Sequence, residues 1–358
     1  MARHGENIYL RKDGRYEGRY IKGRRQDGAL WFGYVYAARY AEVKRKLIVL
    51  KATEENAVCA AYQNGTVGEW IEYWLAEHVK PYVCASTYET YQSQINTHIL
   101  PVFENRVLRK ITTREIQDFV NDLRQRRSAG MVHNVTRLLS SVFRAAQNKG
   151  LSAINPCEGV RKPKNKAKPP RVLTCGEQAK LERMAMDTGS LEYLLCLYTG
   201  LRLGELCALK WEDIDMDGGV IYVRAGMKRL KSGVVQSTPK TQSSQREIPV
   251  PVFIMRMLRQ NRGQADGYVF VNAKGGAADM RTIQLRLRRM AKKLGLKGVH
   301  MHTLRHTFAT RCLESGIRFE ALSELLGHST PNITLTYYVH CTRESKMKSI
   351  QKLRRIAS

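Results

Sequence analysis

Four times between residues 66 and 177 a hydroxyl residue is followed three positions later by glutamate, just ahead of an apolar run. The pairs are Thr66-x-x-Glu69, Ser86-x-x-Glu89, Thr112-x-x-Glu115 and Thr174-x-x-Glu177. The hydroxyl accepts a hydrogen bond from the third backbone N–H of a helix while the carboxylate reaches back to the first, so each pair marks a helix start. A chain punctuated in this way is committed to short helices through its middle. The first three pairs open amphipathic stretches within residues 66–150. A fourth stretch, 131–148, carries Val135, Leu138, Leu139, Val142 and Phe143 on one face and stops before Gly150. Four helices of that length make a compact bundle.

The pattern breaks at residues 161–173. Between Arg161 and Arg171 there are six cations, no anion and three prolines, a composition that forbids a helix and reads as a basic linker able to cross phosphates. Ahead of the bundle, residues 8–10, 16–21 and 30–36 read as strands separated by the turn signals Asp13-Gly14 and Asp27-Gly28. Arg15, Arg19, Lys22, Arg24 and Arg25 interleave with tyrosines there, and a helical stretch from residue 40 to about 62 follows. A small sheet backed by a helix can enter a DNA groove, and a packing or oligomerisation module is the alternative.

Beyond the linker, helices run to Tyr198 and end at Gly200. Three short strands, 220–223, 234–238 and 246–250, are joined through a Gly/Lys-rich connection, and helices begin at Val252, Met280 and Thr303. The expected fold class is multidomain and mainly α with small β-sheets: an N-terminal three-stranded sheet plus helix, a four-helix bundle, and a mainly α domain with one small antiparallel sheet.

The net charge of +28 calls for a polyanionic partner, above all nucleic acid. The eight cysteines form no Cys-x-x-Cys pair and no zinc spacing. Cys196, Cys207 and Cys312 sit in apolar patterns as core thiols, which fits a reducing cytoplasm. Neither a signal-peptide core nor a stretch of membrane-spanning length is present, so no membrane partner is expected.

Chemistry concentrates late in the chain. A helix from about residue 303 to 314 places Arg305, Phe308, Ala309 and Cys312 on one side, with His302 at its start. A second run, 319–326, buries Leu322, Leu325 and Leu326 and stops at Gly327, with His328 just beyond and Tyr338 ten residues on. Arginine forks match phosphate oxygens, histidines donate hydrogen bonds or move protons near neutral pH, and a tyrosine becomes a nucleophile when cations stabilise its phenolate. The set suits attack on a phosphodiester. Solvated basic faces and a packed tyrosine are the plainer alternative, as is a structural Arg202–Glu205 bridge. His302 and His306 stand one helical turn apart, but no third metal ligand at a defined spacing joins them.

Taken together, His302-x-x-Arg305, Leu326-Gly327-His328-Ser329 and Tyr338-x-His340 resemble the motifs of the tyrosine recombinase (phage integrase) family, and Thr199-Gly200-Leu201-Arg202-Leu203-Gly204-Glu205-Leu206 matches its first arginine motif. The resemblance spans nearly the whole chain. It implies an arm-type DNA-binding domain over 1–64, similar to those of phage and conjugative-transposon integrases, and a SAM-like core-binding domain over 65–160. A hinge over 161–173 would let the protein close around duplex DNA, and a catalytic domain would occupy 174–358. The implied catalytic set is Arg202, Lys240, His302, Arg305, His328 and the nucleophile Tyr338, with Glu205 supporting Arg202. Tyr337 is the fallback nucleophile, and Lys228, Arg229 and Lys231 compete with Lys240. Also implied are a 3′-phosphotyrosine intermediate, a Holliday junction, a homotetramer on double-stranded attachment sites, and no cofactor or metal. An excisionase and a host DNA-bending protein are the further partners that such integrases use. A basic C-terminal helix over 344–356 would dock on a neighbouring protomer. A non-catalytic DNA-binding regulator and a metal-dependent nuclease are the readings from other classes; the complete catalytic set opposes the first, and the lack of a carboxylate cluster opposes the second.

Overall fold

In the computed structural model, which describes residues 7–24, 30–62, 64–164, 170–230, 232–237, 245–262 and 266–327, the chain divides into two units, 1–165 and 166–358. The division falls within the basic, proline-bearing stretch. Among the described residues, no helix is long and apolar enough to cross a membrane.

The first unit opens with strands β1 (Ile8–Leu10), β2 (Tyr16–Arg24) and β3 (Leu30–Ala37) in an antiparallel sheet of order β1-β2-β3. Helix α1 (Tyr40–Tyr62) covers one face, where Ile8, Val43 and Leu47 form a small core with Tyr20 and Val35. The opposite face keeps Tyr9, Tyr34 and Tyr36 exposed.

The bundle follows. Helix α2 (Val67–Trp74) runs into a wide turn, Leu75–Val79, in which Lys80 N–H bonds to Leu75 C=O five residues back. Helix α3 (Ala85–Gln94) widens in the same way over Ile95–Ile99 before α4 (Leu100–Phe103). Helices α5 (Thr113–Arg126) and α6 (Ala129–Asn148) complete it. Trp70 sits at the centre, fully buried, with its indole N–H on Val142 C=O at 3.0 Å.

Thr66 and Thr112 form reciprocal capping boxes with Glu69 and Glu115, as their spacing requires. Ser86 does not. The first helical bond of α3 is from Tyr88 N–H to Cys84 C=O, so Cys84 is the cap residue and Ser86 lies inside the first turn with its hydroxyl 3.2 Å from the Cys84 sulfur.

In the second unit, α7 (Cys175–Asp187) starts at the Thr174–Glu177 capping box and leads to the buried α8 (Leu191–Thr199) and the short α9 (Leu203–Ala208). The β region differs from the expected single three-stranded sheet. Strands β4 (Ile214–Asp215), β5 (Val220–Val223) and β8 (Arg246–Pro249) form one sheet, and β6 (Gly226–Leu230) and β7 (Gly233–Ser237) form a separate hairpin. The Gly/Lys-rich connection is therefore a strand. It lacks apolar alternation because Met227 is its one buried residue, packed into the core, while Lys228, Arg229 and Leu230 stay partly or fully exposed. Helices α10 (Val252–Arg262), α11 (Met280–Lys293), α12 (Met301–Glu314) and α13 (Phe319–Leu326) finish the described chain.

The caps give a direct test by native-state hydrogen exchange. Thr112→Ala lowers the opening free energy of α5 by about 1 kcal/mol. Ser86→Ala changes that of α3 by less than about 0.5 kcal/mol, because it removes no cap.

Candidate active site

Helix α8 is buried almost throughout, so its end is fixed by the core. Gly200 ends it in the left-handed region (φ +65°), and a Cβ there would lie 2.4 Å from the Phe308 ring. Both the backbone angle and the space require glycine. Leu201 then anchors in the core, and Arg202 becomes the residue that caps α9. Its backbone N–H donates to Glu205 Oε2 at 2.9 Å and its Nη1 to Oε1 at 2.7 Å. Gly204, between them, lets α9 press against β6, since a Cβ would stand 2.5 Å from Met227 C=O.

Arg305 projects from α12 and is 1% exposed. Its Nη1 donates to Gly200 C=O and its Nη2 to Leu326 C=O, both at 2.6 Å. Helix α13 ends at Gly327, again left-handed. Its last carbonyls accept from three arginines in succession: Leu325 from Arg246 Nε at 2.6 Å, Leu326 from Arg305, and Gly327 from Arg202 Nη2 at 2.9 Å. Cations at a helix C-terminus interact favourably with its negative end.

Arg202, His302 and Arg305 line one cavity of about 460 Å³, together with Leu201, Leu203, Gln284, Arg288, His300 and Met301. A phosphate placed there would meet three cationic side chains and two imidazoles. His302 is held below the usual imidazole pKa by burial first, then by the charge of Arg305 and proximity to His300 and Arg202. Its ring packs edge-on against His306 at 4.5 Å, and burial with the neighbouring His302 pushes His306 down to about 4. Both rings are therefore neutral at pH 7, each with one donor and one acceptor nitrogen. His300 caps α12, its Nδ1 accepting from Thr303 N–H at 3.1 Å. Among the described residues, no three His, Cys, Asp or Glu side chains are grouped as a metal ion would need.

Burial alone would push the Glu205 carboxyl up. The hydrogen bonds and charge of Arg246, joined by those of Arg202, overcome it and hold the carboxyl at about 2. Arg246, whose side chain is 5% exposed, donates Nη1 to Oε1 at 3.1 Å and Nη2 to Oε2 at 2.8 Å. Arg229 is engaged elsewhere, in an ion pair with Asp279 at the start of α11.

The structure thus brings Arg202, Glu205, His302 and Arg305 together. Lys240, His328, Tyr337, Tyr338, His340, Lys231 and the 344–356 helix lie outside the described residues. Sequence reasoning missed Arg246, Gln284, Arg288 and His300. Gln284 and Arg288 are one turn apart beside the buried Ile283–Leu287 stripe of α11, a spacing visible in the sequence. Arg246 pairs with a residue 41 positions away, and no local pattern carries that.

A model of the phage integrase family matches residues 177–345, and one of the phage integrase N-terminal SAM-like domain matches 66–124. A tyrosine recombinase XerC-like protein of Caldanaerobacter subterraneus subsp. tengcongensis is 26% identical over 92% of this chain and 93% of its own length. Tyrosine recombinase XerC of Xanthomonas axonopodis pv. citri is 36% identical over 53% of this chain, which spans 60% of that relative. Among solved structures, the Tn1549 transposon integrase bound to circular intermediate DNA superposes with a TM-score of 0.69 at 21% identity, over 81% of this chain and 99% of that one. A lambda integrase tetramer bound to a Holliday junction superposes with a TM-score of 0.61 at 22% identity, over 91% and 96%. These likenesses fix the fold.

Glu205 sets a pH dependence. Folding lowers its pKa from 4.5 to about 2, so its contribution to stability is full above pH 4.5 and is lost as pH falls toward 2. Over that window the wild type loses on the order of 3 kcal/mol more than Glu205→Gln, measured by chemical unfolding at each pH.

Proposed function

The chain belongs to the tyrosine recombinase (phage integrase) family, whose members cleave and rejoin DNA strands, and from this premise we propose that it is the site-specific integrase of a mobile genetic element. The observation that carries the chemistry is the single cavity lined by Arg202, His302 and Arg305, with Glu205 holding Arg202 from behind.

In this reading the scissile phosphate sits between the two guanidinium groups, which offset the charge that grows on its non-bridging oxygens. His328 donates to one of those oxygens. Tyr338 attacks phosphorus, giving up its proton with help from the neutral His302. The new bond joins the tyrosine oxygen to the 3′ phosphate, and the bond to the 5′ oxygen breaks. Lys240 protonates the departing oxygen. A 5′ hydroxyl from the partner duplex then attacks the phosphotyrosine and releases Tyr338, so strands exchange in pairs through a Holliday junction. The covalent intermediate keeps the phosphodiester bond energy, and neither ATP nor a metal ion is required.

Residues 174–358 would supply catalysis, 65–160 the core-site contacts, 161–173 a basic strap, and 1–64 binding to arm sites. Support for the last comes from the exposed sheet face. Arg11 lies 5.3 Å from the Tyr36 ring centroid and Arg19 lies 4.4 Å from that of Phe32. A flat array of aromatic rings and guanidinium groups suits base edges and phosphates. The working form would be a homotetramer on two attachment sites, with an excisionase and a host DNA-bending protein setting direction. The XerC-like name of one relative favours a second reading, chromosomal dimer resolution. Removing residues 1–64 separates the two, since only the integrase would lose recombination of sites that carry arm sequences.

The direct test uses nicked duplexes enriched from a random pool by covalent capture on the wild-type protein. A protein–DNA adduct forms in EDTA, persists in Tyr337→Phe and disappears in Tyr338→Phe on a denaturing gel. An adduct lost only in Tyr337→Phe reassigns the nucleophile, and no adduct with the wild type overturns the proposed function.

A further inference from the structure

Arg246 does not line the cavity, yet it joins the two parts of the site. Each carboxylate oxygen of Glu205 accepts from both arginines: Oε1 from Nη1 of Arg202 and Nη1 of Arg246, Oε2 from the backbone N–H of Arg202 and Nη2 of Arg246. A carboxylate with both oxygens held by two arginines cannot rotate freely, so the direction of the Arg202 fork depends on Arg246. The Nε of Arg246 points elsewhere, to Leu325 C=O at the end of α13. Two residues later the described chain ends at Gly327, whose carbonyl accepts from Arg202, and His328 is next in sequence. One guanidinium therefore spans the arginine that faces the cavity and the helix end from which the chain leaves toward Tyr338.

We propose that Arg246 is a positioning residue for DNA cleavage: through Glu205 it aims Arg202 at the scissile phosphate, while its bond to Leu325 C=O holds its own guanidinium in place. Its side chain is 5% exposed and stands outside the cavity lining. The inference rests on the assignment of Arg202 and Tyr338 made above. Its geometry needs a forked cation, because two donors occupy Glu205 while a third, in another direction, occupies the carbonyl. Lysine keeps the charge but is a point donor and cannot serve both. Removing the cation alone would leave the buried Glu205 carboxylate with Arg202 but without the bidentate Arg246 fork, which is costly to the fold. Arg246→Lys and the doubly neutral Arg246→Met with Glu205→Gln avoid that problem.

The same captured duplexes serve as probe. Binding is measured by anisotropy, folding by thermal melting, and cleavage as the rate of adduct formation at saturating DNA. Arg246→Lys is expected to bind within about threefold of wild type while cleaving about 30-fold or more slowly, since misaim costs the transition state rather than binding. Adding it to Arg202→Lys is expected to slow that variant by no more than about threefold, because both changes act through one guanidinium. If Arg246→Lys fails to fold, the double variant carries the same expectation of near-normal binding and slow cleavage. Cleavage at the wild-type rate by either folded variant overturns the inference, as do binding and cleavage that fall in parallel, or effects that multiply with those of Arg202→Lys. An absent adduct with the wild type fails the proposed function itself, and the inference with it.

Discussion

The end of α13 is where the second unit is tied together. A helix terminus leaves carbonyls without partners, and here three successive ones are taken by guanidinium groups from a cap (Arg202), a strand (Arg246) and a helix (Arg305). Each of these arginines also reaches a second element, so the terminus, the α8–α9 corner and β8 are referred to one another by hydrogen bonds rather than by apolar packing alone. Hydrogen bonds have fixed directions, whereas apolar contacts tolerate sliding. A site that must present two cations to one phosphate needs the first kind.

That arrangement reconciles a strongly basic chain with a buried core. Arg305 and Arg246 are both enclosed, the first 1% exposed and the second with a side chain 5% exposed. Glu205 serves Arg246 and Arg202 together, and backbone carbonyls supply much of the remaining negative potential. Partial charges from carbonyls satisfy donors without cancelling the net charge. The cavity therefore stays electropositive although Arg202 and Arg305 are hydrogen-bonded to the fold, as anion binding demands.

Much of this was legible in the sequence because local chemistry determines it. The glycines that end α8 and α13, the capping boxes at Thr66, Thr112 and Thr174, and the buried stripe of α12 each depend on residues within one or two turns. Arg202, Glu205, His302 and Arg305 could be named because the motifs that hold them resemble those of the tyrosine recombinase family. Ser86 misled because a hydroxyl three residues before glutamate marks a helix start only when the chain is extended at that residue, and here it is extended at Cys84. Strand β6 was hidden because it buries a single residue, Met227, too few to show an alternation. Arg246 was hidden for a deeper reason: its partners come from α9 and α13, and only the tertiary fold makes them neighbours.

The two wide turns at Leu75–Val79 and Ile95–Ile99 have a bearing on how the bundle can vary. Each holds one residue more than an α-helical turn needs, as a single-residue insertion absorbed without breaking the helix would. Leu75, Val79, Ile95 and Ile99 are all buried, so the extra residue has been phased into the core rather than pushed out to solvent. A helical wheel drawn at constant pitch through either rod loses its apolar stripe at that point. Alignments of such bundles should therefore admit one-residue gaps inside helices, where gap penalties ordinarily forbid them.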